Sequence, residues 1–194
     1  MQVAERSDEL KSSTIGGHSG RTWVDAGALK YLQGMYGIKS MLDVGCGPGG
    51  MKDVADLAGI KYLGIDGDAS LDLDMPGFMY HDFYFSKLPV LPQQYDLAWS
   101  IEFLEHITEQ HLWKVMETFS HCKYVLCTAS NTPRPHHVNL KDKTYWIDKF
   151  AVFGFDYDEH VTHRVLEYST MKHKNKNKSF LMETGMFFRK QKPS

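Results

Sequence analysis

The run Met41-Leu42-Asp43-Val44-Gly45-Cys46-Gly47-Pro48-Gly49-Gly50 constrains this chain more than any other segment. Its apolar stub (Met41, Leu42, Val44) reads as a buried strand, and the glycines that follow make a sharp turn. Met51 to Ala58, immediately after, has the apolar spacing of a helix. A strand, a glycine-rich turn and a helix N-terminus make a site for a nucleotide-like ligand. Glycine has no Cβ, so the backbone can take positive φ and come close to what it binds. A second strand, Tyr62-Leu63-Gly64-Ile65-Asp66, ends in an acid about twenty residues further on, where a carboxylate accepts both hydroxyls of a ribose.

The chain has 194 residues, which points to one domain with a full core. Residues 1–20 read as a flexible lead-in, 21–190 as the domain and 191–194 as a tail. An apolar share of 42% and a charged share of 24% suit a globular protein. The net charge of −2 leaves no basic excess to neutralise a phosphate backbone, so nucleic acid is not the expected partner. Cys46, Cys122 and Cys127 are an odd count without a C-x-x-C pair, which speaks against a disulfide frame and a structural zinc. The first residues lack the apolar run of a signal peptide, and no stretch approaches a membrane span. The expectation is a reduced, cytoplasmic protein without a membrane partner.

Along the chain, periodicity predicts a helix over about 22–36 and strands over 40–44, 61–65, 77–81 and 95–100. A helix over 108–120 and a strand over 124–129 follow. Pro133 and Pro135 then break the rhythm in a loop over 130–144, which marks a functional segment. A helix over 143–153 precedes two closing strands, Arg164–Tyr168 and Phe180–Phe188. The alternation of strands and helices up to the fifth strand implies a parallel sheet.

Gly45, Gly47 and Gly50 also satisfy the dinucleotide pattern G-x-G-x-x-G, which is weak alone. Asp43 extends it to D-x-G-x-G-x-G, the chain is short for a dinucleotide domain plus a catalytic one, and the C-terminus reads as a strand pair. Together these features resemble the class I S-adenosylmethionine-dependent methyltransferases. The resemblance implies an α/β, Rossmann-like seven-stranded sheet with an antiparallel C-terminal strand pair, helices on both faces and S-adenosylmethionine as cofactor. It implies backbone contacts from Gly45, Cys46 and Gly47 to the methionine end of that cofactor. Asp43 would organise the loop and reach the amino group through water, or else stabilise a turn or cap a helix. Asp66, followed by Gly67, matches the acid that grips the ribose hydroxyls, with Asp68 as substitute. Asp82 would meet the adenine amino group, Phe83 would pack on the ring, and Ser100 would meet the methionine moiety through its carbonyl.

A sulfonium methyl is already electrophilic, so the protein has mainly to align the nucleophile and exclude water. A hydroxyl acceptor must also lose a proton, a task suited to histidine near neutral pH. His136 and His137 lie in the loop after the fifth strand, at the sheet edge where ligands bind. Pro135-His136-His137-Val138-Asn139 with Tyr145-Trp146-Ile147 is similar to the substrate-side segment of methyltransferases acting on sugars or small hydroxylated metabolites. The histidines are candidate bases, or else surface loop or anchor. Ser100-Ile101-Glu102-Phe103-Leu104-Glu105-His106 resembles the S-x-E-x-L-E-H segment of the small-molecule branch, with Glu105 and His106 either capping the next helix or catalytic.

No N-P-P-Y or D-P-P-Y follows strand four, no cysteine follows a proline, and no convincing carboxylate cluster for a metal is visible, so metal-free transfer is expected. The basic run Lys172–Lys178 reads as a solvated hairpin loop between the last two strands. The sequence thus predicts S-adenosylmethionine-dependent methyl transfer to a hydroxyl of a small molecule or sugar. RNA or protein methylation and a non-catalytic cofactor-binding subunit stand as alternatives.

Overall fold

In the computed structural model, which describes residues 22–171 and 180–192, the run Ser40–Val44 forms β1 with all five side chains buried. A strand buried on both faces needs neighbours on both edges, and β1 has them. It pairs in parallel with β2 (Lys61–Asp66), matching Leu42 to Leu63, and with β4 (Tyr95–Ser100), matching Leu42 to Ala98. β3 (Phe78–Tyr80) extends the sheet beyond β2, and β5 (Cys122–Cys127) extends it beyond β4, both in parallel. β6 (Phe155–Tyr157) and β7 (Met186–Lys190) complete it, with β7 antiparallel to both β5 and β6. The order is β3-β2-β1-β4-β5-β7-β6.

Alternate residues of each strand face opposite ways and feed two apolar layers. Leu42, Val44, Val125 and Phe188 meet α3 (Glu109–Phe119) and α4 (Lys143–Val152) on one face, through Val115, Phe119, Trp146 and Phe150. Met41, Trp99, Leu126 and Phe187 meet α1 (Ala26–Tyr36), α2 (Met51–Leu57), α5 (Glu159–Tyr168) and α6 (Phe180–Thr184) on the other, through Leu29, Leu32, Met51, Val165 and Leu181. The expected seven-stranded sheet, covered by helices on both faces and closed by antiparallel strands, is present. No helix among the described residues is long and apolar enough to cross a membrane.

The strands that close the sheet are not the ones the sequence suggests. Arg164–Tyr168 belongs to α5, because Asp158 caps that helix by accepting from the Val161 N–H (2.8 Å), and Val161 and Val165 then share its buried face. The segment from Phe180 begins as α6, and Gly185, whose N–H donates to the Leu181 carbonyl at 2.8 Å, separates it from β7. β6 lies instead directly after Gly154. The basic run 172–178 therefore follows a helix, not a strand, and lies outside the described residues, as do the lead-in 1–20 and the last two residues of the tail.

The first helix begins at Ala26, later than its apolar pattern suggests, because Asp25 caps it by accepting from the Ala28 N–H at 2.9 Å. The same buried carboxylate accepts from the Thr170 N–H (2.8 Å), the Met171 N–H (3.3 Å) and the Ser169 hydroxyl. It latches the start of the domain to the segment after α5.

Candidate functional site

The C-terminal ends of β1, β2 and β4 meet at the glycine turn. The chain leaves β1 with Gly45, Gly47 and Gly49 at φ 78°, 52° and 80°. The Gly45 and Cys46 N–H groups both donate to the Ile65 carbonyl, at 2.8 and 3.1 Å, stitching the turn to the end of β2. A Cβ on Gly45 would lie 2.3 Å from the Phe103 ring, so only glycine meets both the left-handed conformation and the aromatic cover.

Asp66 ends β2 facing this turn. Its Oδ2 accepts from the Gly47 N–H at 2.7 Å and its Oδ1 from the Asp68 N–H at 2.9 Å. Next to it the Gly67 and Asp82 loops abut, since a Cβ on Gly67 would stand 3.0 Å from the Asp82 Cα. The Asp82 Oδ1 accepts from the Tyr84 N–H (2.7 Å), and the Lys114 ammonium donates to the Phe83 and Ser86 carbonyls at 2.9 and 2.7 Å, fixing this loop. The Phe83 ring is closed into the core, edge-on to His81 and tilted against Phe103, so it backs the loop instead of offering an open face.

Asp43 and Ser100 lie beneath the turn. Asp43 is buried and caps no helix; its Oδ2 accepts from the Tyr62 hydroxyl at 2.8 Å, and burial pushes its carboxyl up to about 7. Burial also pushes the Cys46 thiol up, leaving a packing group and not a nucleophile. The Ser100 hydroxyl donates to the Val44 carbonyl (2.9 Å), while its own carbonyl accepts from the Thr128 N–H at 3.0 Å.

A second cluster of polar groups lies just beyond Ser100. Glu102 sits at φ 55°, held there by Thr128, whose hydroxyl accepts from the Glu102 N–H (2.7 Å) and donates to its Oε1 (3.0 Å). A single helical turn, Leu104–His106, follows. The loop after β5 folds back onto it, with the Val138 and Asn139 N–H groups donating to the Glu105 carbonyl at 2.9 and 3.0 Å. One ligand atom each from Glu105, His106 and His137 then lies within 4.8 Å of the others.

The protonation of the two imidazoles follows from their neighbours. The His106 Nδ1 lies 3.0 Å from the His136 carbonyl, and the His137 Nδ1 lies 2.8 Å from the Thr132 carbonyl. A carbonyl only accepts, so each Nδ1 carries the hydrogen and each Nε2 keeps its lone pair. Burial lowers both, His106 to about 4. Burial raises Glu102 to about 7, and burial with the neighbouring Glu102 charge raises Glu105 to about 8. His136 itself is exposed, sits at φ 69° and contributes its carbonyl to this arrangement.

One sequence reading needs correction here. Glu105 caps no helix, for neither of its carboxyl oxygens makes a well-formed hydrogen bond, and the start of α3 at Thr108 has no side-chain cap bond. A set of metal-capable groups also exists. Its carboxylate and one histidine sit on a single turn while the other histidine arrives from 31 residues away, so no local motif displays it.

No protein-family model matches the sequence, and no curated protein sequence matches it. Solved structures do match the architecture. A chain from the complex between the Haloferax volcanii Trm112 methyltransferase activator and a putative methyltransferase is 15% identical, covering 97% of this chain and 98% of that one, with a TM-score of 0.59. The methyltransferase domain of the bacterial protein CtHen1 is 15% identical over 86% of this chain and 97% of its own, with a TM-score of 0.56. An O-methyltransferase from a Brevibacillus brevis polyketide synthase, solved with S-adenosyl-L-homocysteine, is 19% identical over 79% of this chain and 67% of its own, with a TM-score of 0.54. The fold is that of the class I methyltransferases. Within this methyltransferase fold, Gly45, Gly47, Asp66, Gly67, Asp82 and Ser100 come together at one sheet edge, and His106 and His137 join them from the side of β5. Glu102 and Thr128, not singled out as site residues from sequence, belong to the same group; the E-x-x-E-H spacing on one turn was the available signal.

Proposed function

We propose that the protein binds S-adenosylmethionine at the C-terminal edge of β1, β2 and β4 and transfers its methyl group to a hydroxyl of a small molecule or sugar. The observation that carries this reading is the Asp66 carboxylate at the end of β2, 2.7 Å from the Gly47 N–H of the left-handed glycine turn. Its place at the end of β2, beside the glycine turn, suits a pair of ribose hydroxyls, and the adjoining Gly67–Asp82 surface suits the adenine. Gly45 and Ser100 line the other end. When bound, the cofactor supplies a methyl group on a positively charged sulfur. The likeness to methyltransferases from several sources, including an O-methyltransferase, supports the assignment.

The acceptor side fits an oxygen nucleophile. Phe103 covers Gly45 and belongs to the turn that carries Glu105 and His106, so the glycine turn and the polar cluster are joined through one residue. A hydroxyl placed over Gly45 meets unprotonated imidazole nitrogens and a buried carboxylate, groups that attract its proton.

Two measurements test this. Calorimetric titration is expected to show S-adenosylhomocysteine binding and no response to NAD. Incubation of cell extract with the deuterated-methyl cofactor is expected to label a hydroxylated metabolite, read by mass spectrometry. Tight NAD binding with no response to S-adenosylhomocysteine overturns the proposal, and label appearing only in nucleic acid or protein overturns the acceptor class.

A further inference from the structure

The geometry points to a divalent-cation site formed by Glu105, His106 and His137, which we propose holds a first-row transition metal against the acceptor hydroxyl. Three independent observations converge on it. One ligand atom from each residue lies within 4.8 Å of the other two, a span that a central ion bridges with small side-chain adjustments.

The second observation is the Glu105 carboxylate. The residue is 0% exposed, and neither Oε1 nor Oε2 makes a well-formed hydrogen bond, its polar neighbours being the Glu102 carboxyl and the Ser130 backbone. Native proteins rarely leave a buried carboxyl so poorly bonded, and a nearby cation would favour its ionised form. A cation between it and the two histidines supplies that charge.

The third is the way the imidazoles are held. Both donate Nδ1–H to a main-chain carbonyl, of Thr132 and of His136, and both turn an unprotonated Nε2 away from it. Orientation through the distal N–H is how metal-binding histidines are fixed. His136 adopts its left-handed conformation while presenting the carbonyl that does this for His106, and Glu102, the other non-glycine residue at positive φ among the described residues, lies just before the turn that carries His106. Strain confined to one site is a mark of function.

Two imidazole nitrogens and one carboxylate favour Mn²⁺, Fe²⁺, Co²⁺ or Zn²⁺ over Ca²⁺, which prefers an all-oxygen shell. Three protein ligands leave positions open for the acceptor. On the methyl-transfer reading above, from which this role follows, the cation draws electron density from the acceptor oxygen and makes its proton easier to lose. The hydroxyl proton passes to solvent water, and the oxygen lone pair forms the new C–O bond. The S–C bond breaks with its electron pair staying on sulfur, giving the neutral thioether. With the ion bound, the imidazole lone pairs are taken up by it, so the histidines that would attract the proton in the ion-free site instead hold the ion.

The test uses the full chain, dialysed against a chelator. Co²⁺ is titrated with visible spectroscopy, and Mn²⁺ by calorimetry, with S-adenosylhomocysteine affinity measured in parallel. One Co²⁺ per chain with a ligand-field spectrum is expected, and Mn²⁺ affinity should fall at least about 10–100-fold in Glu105→Gln and in His137→Ala. His137 lies on a loop, so its variant keeps the test valid if Glu105→Gln fails to fold. Absence of the Co²⁺ spectrum and of Mn²⁺ binding in the parent protein overturns the site, as does unchanged affinity in His137→Ala. Metal binding without any S-adenosylhomocysteine binding would leave the ion site standing and overturn the methyl-transfer reading alone.

Discussion

On the proposed cofactor side of the sheet edge, positive φ falls on Gly45, Gly47 and Gly49; on the proposed acceptor side it falls on Glu102 and His136. The first set costs little, because glycine occupies that region freely. The second stores on the order of 1–3 kcal/mol per residue and persists because Thr128 grips Glu102 and because two backbone N–H groups tie the β5 loop to the Glu105 carbonyl. Hydrogen bonding differs in the same sense. Asp66 has an N–H on each oxygen, whereas Glu105 makes no well-formed hydrogen bond on either. The cofactor side is relaxed before any ligand arrives, and the acceptor side is held under tension for the groups it displays.

That contrast can be broken from either side. The largest effect is expected from His106→Ala, which removes either a base or an ion ligand and should cut methyl transfer by about 10²–10⁴-fold while S-adenosylhomocysteine affinity, measured by calorimetry, stays within about twofold. A matched loss of cofactor affinity would show that the two sides are not separable. Asp66→Ala should do the reverse, weakening cofactor binding by about 1–3 kcal/mol, because the ribose hydroxyls lose a charged acceptor. Wild-type affinity in that variant would move the ribose contact elsewhere, with Asp68 the first place to look.

Asp43 gives a pH signature confined to the relaxed side. Its carboxyl stands at about 7 in the folded protein, against about 3.9 in an unfolded chain. Between those values the folded state keeps a proton that the unfolded state has lost, so the contribution to stability falls as pH rises through the window and levels off above it. Urea unfolding at pH 5 and pH 8 should therefore show the parent losing about 1–3 kcal/mol relative to Asp43→Asn. Parallel pH profiles would mean that the carboxyl ionises freely. The smallest effect is expected from Glu102→Gly, which relieves the left-handed strain and should raise stability by up to about 1 kcal/mol while lowering turnover. A destabilised variant would show that the Thr128 contacts outweigh the strain.

The relaxed side was legible in the sequence because its signals are local. An apolar strand, three glycines and a terminal acid each act within a few residues, so Gly45, Gly47 and Asp66 could be placed at one edge before any coordinates. The acceptor side depends on contacts between segments. Glu105 and His106 share a turn, but only the return of the β5 loop onto the Glu105 carbonyl brings His137 to them, and nothing in Pro135-His136-His137 encodes that register. The closing strands were misplaced for a related reason. Arg164–Tyr168 carries strand-forming Val165 and Tyr168, yet its residues are also compatible with a helix, and the Asp158 cap decides between them. Phe83 looked available beside Asp82; packing against His81 and Phe103 turned it inward.

Asp25 carries a consequence for how long the folded state lasts. Its carboxylate joins the start of α1 to Thr170, 145 residues along the chain. Closing a loop of that length carries an entropic cost of about 4 kcal/mol, so the joint forms only after the intervening sheet has brought its ends together. Interactions absent from the folding transition state act on the unfolding rate. Loss of the carboxylate should therefore shorten the lifetime of the native molecule while leaving the rate at which it forms almost unchanged.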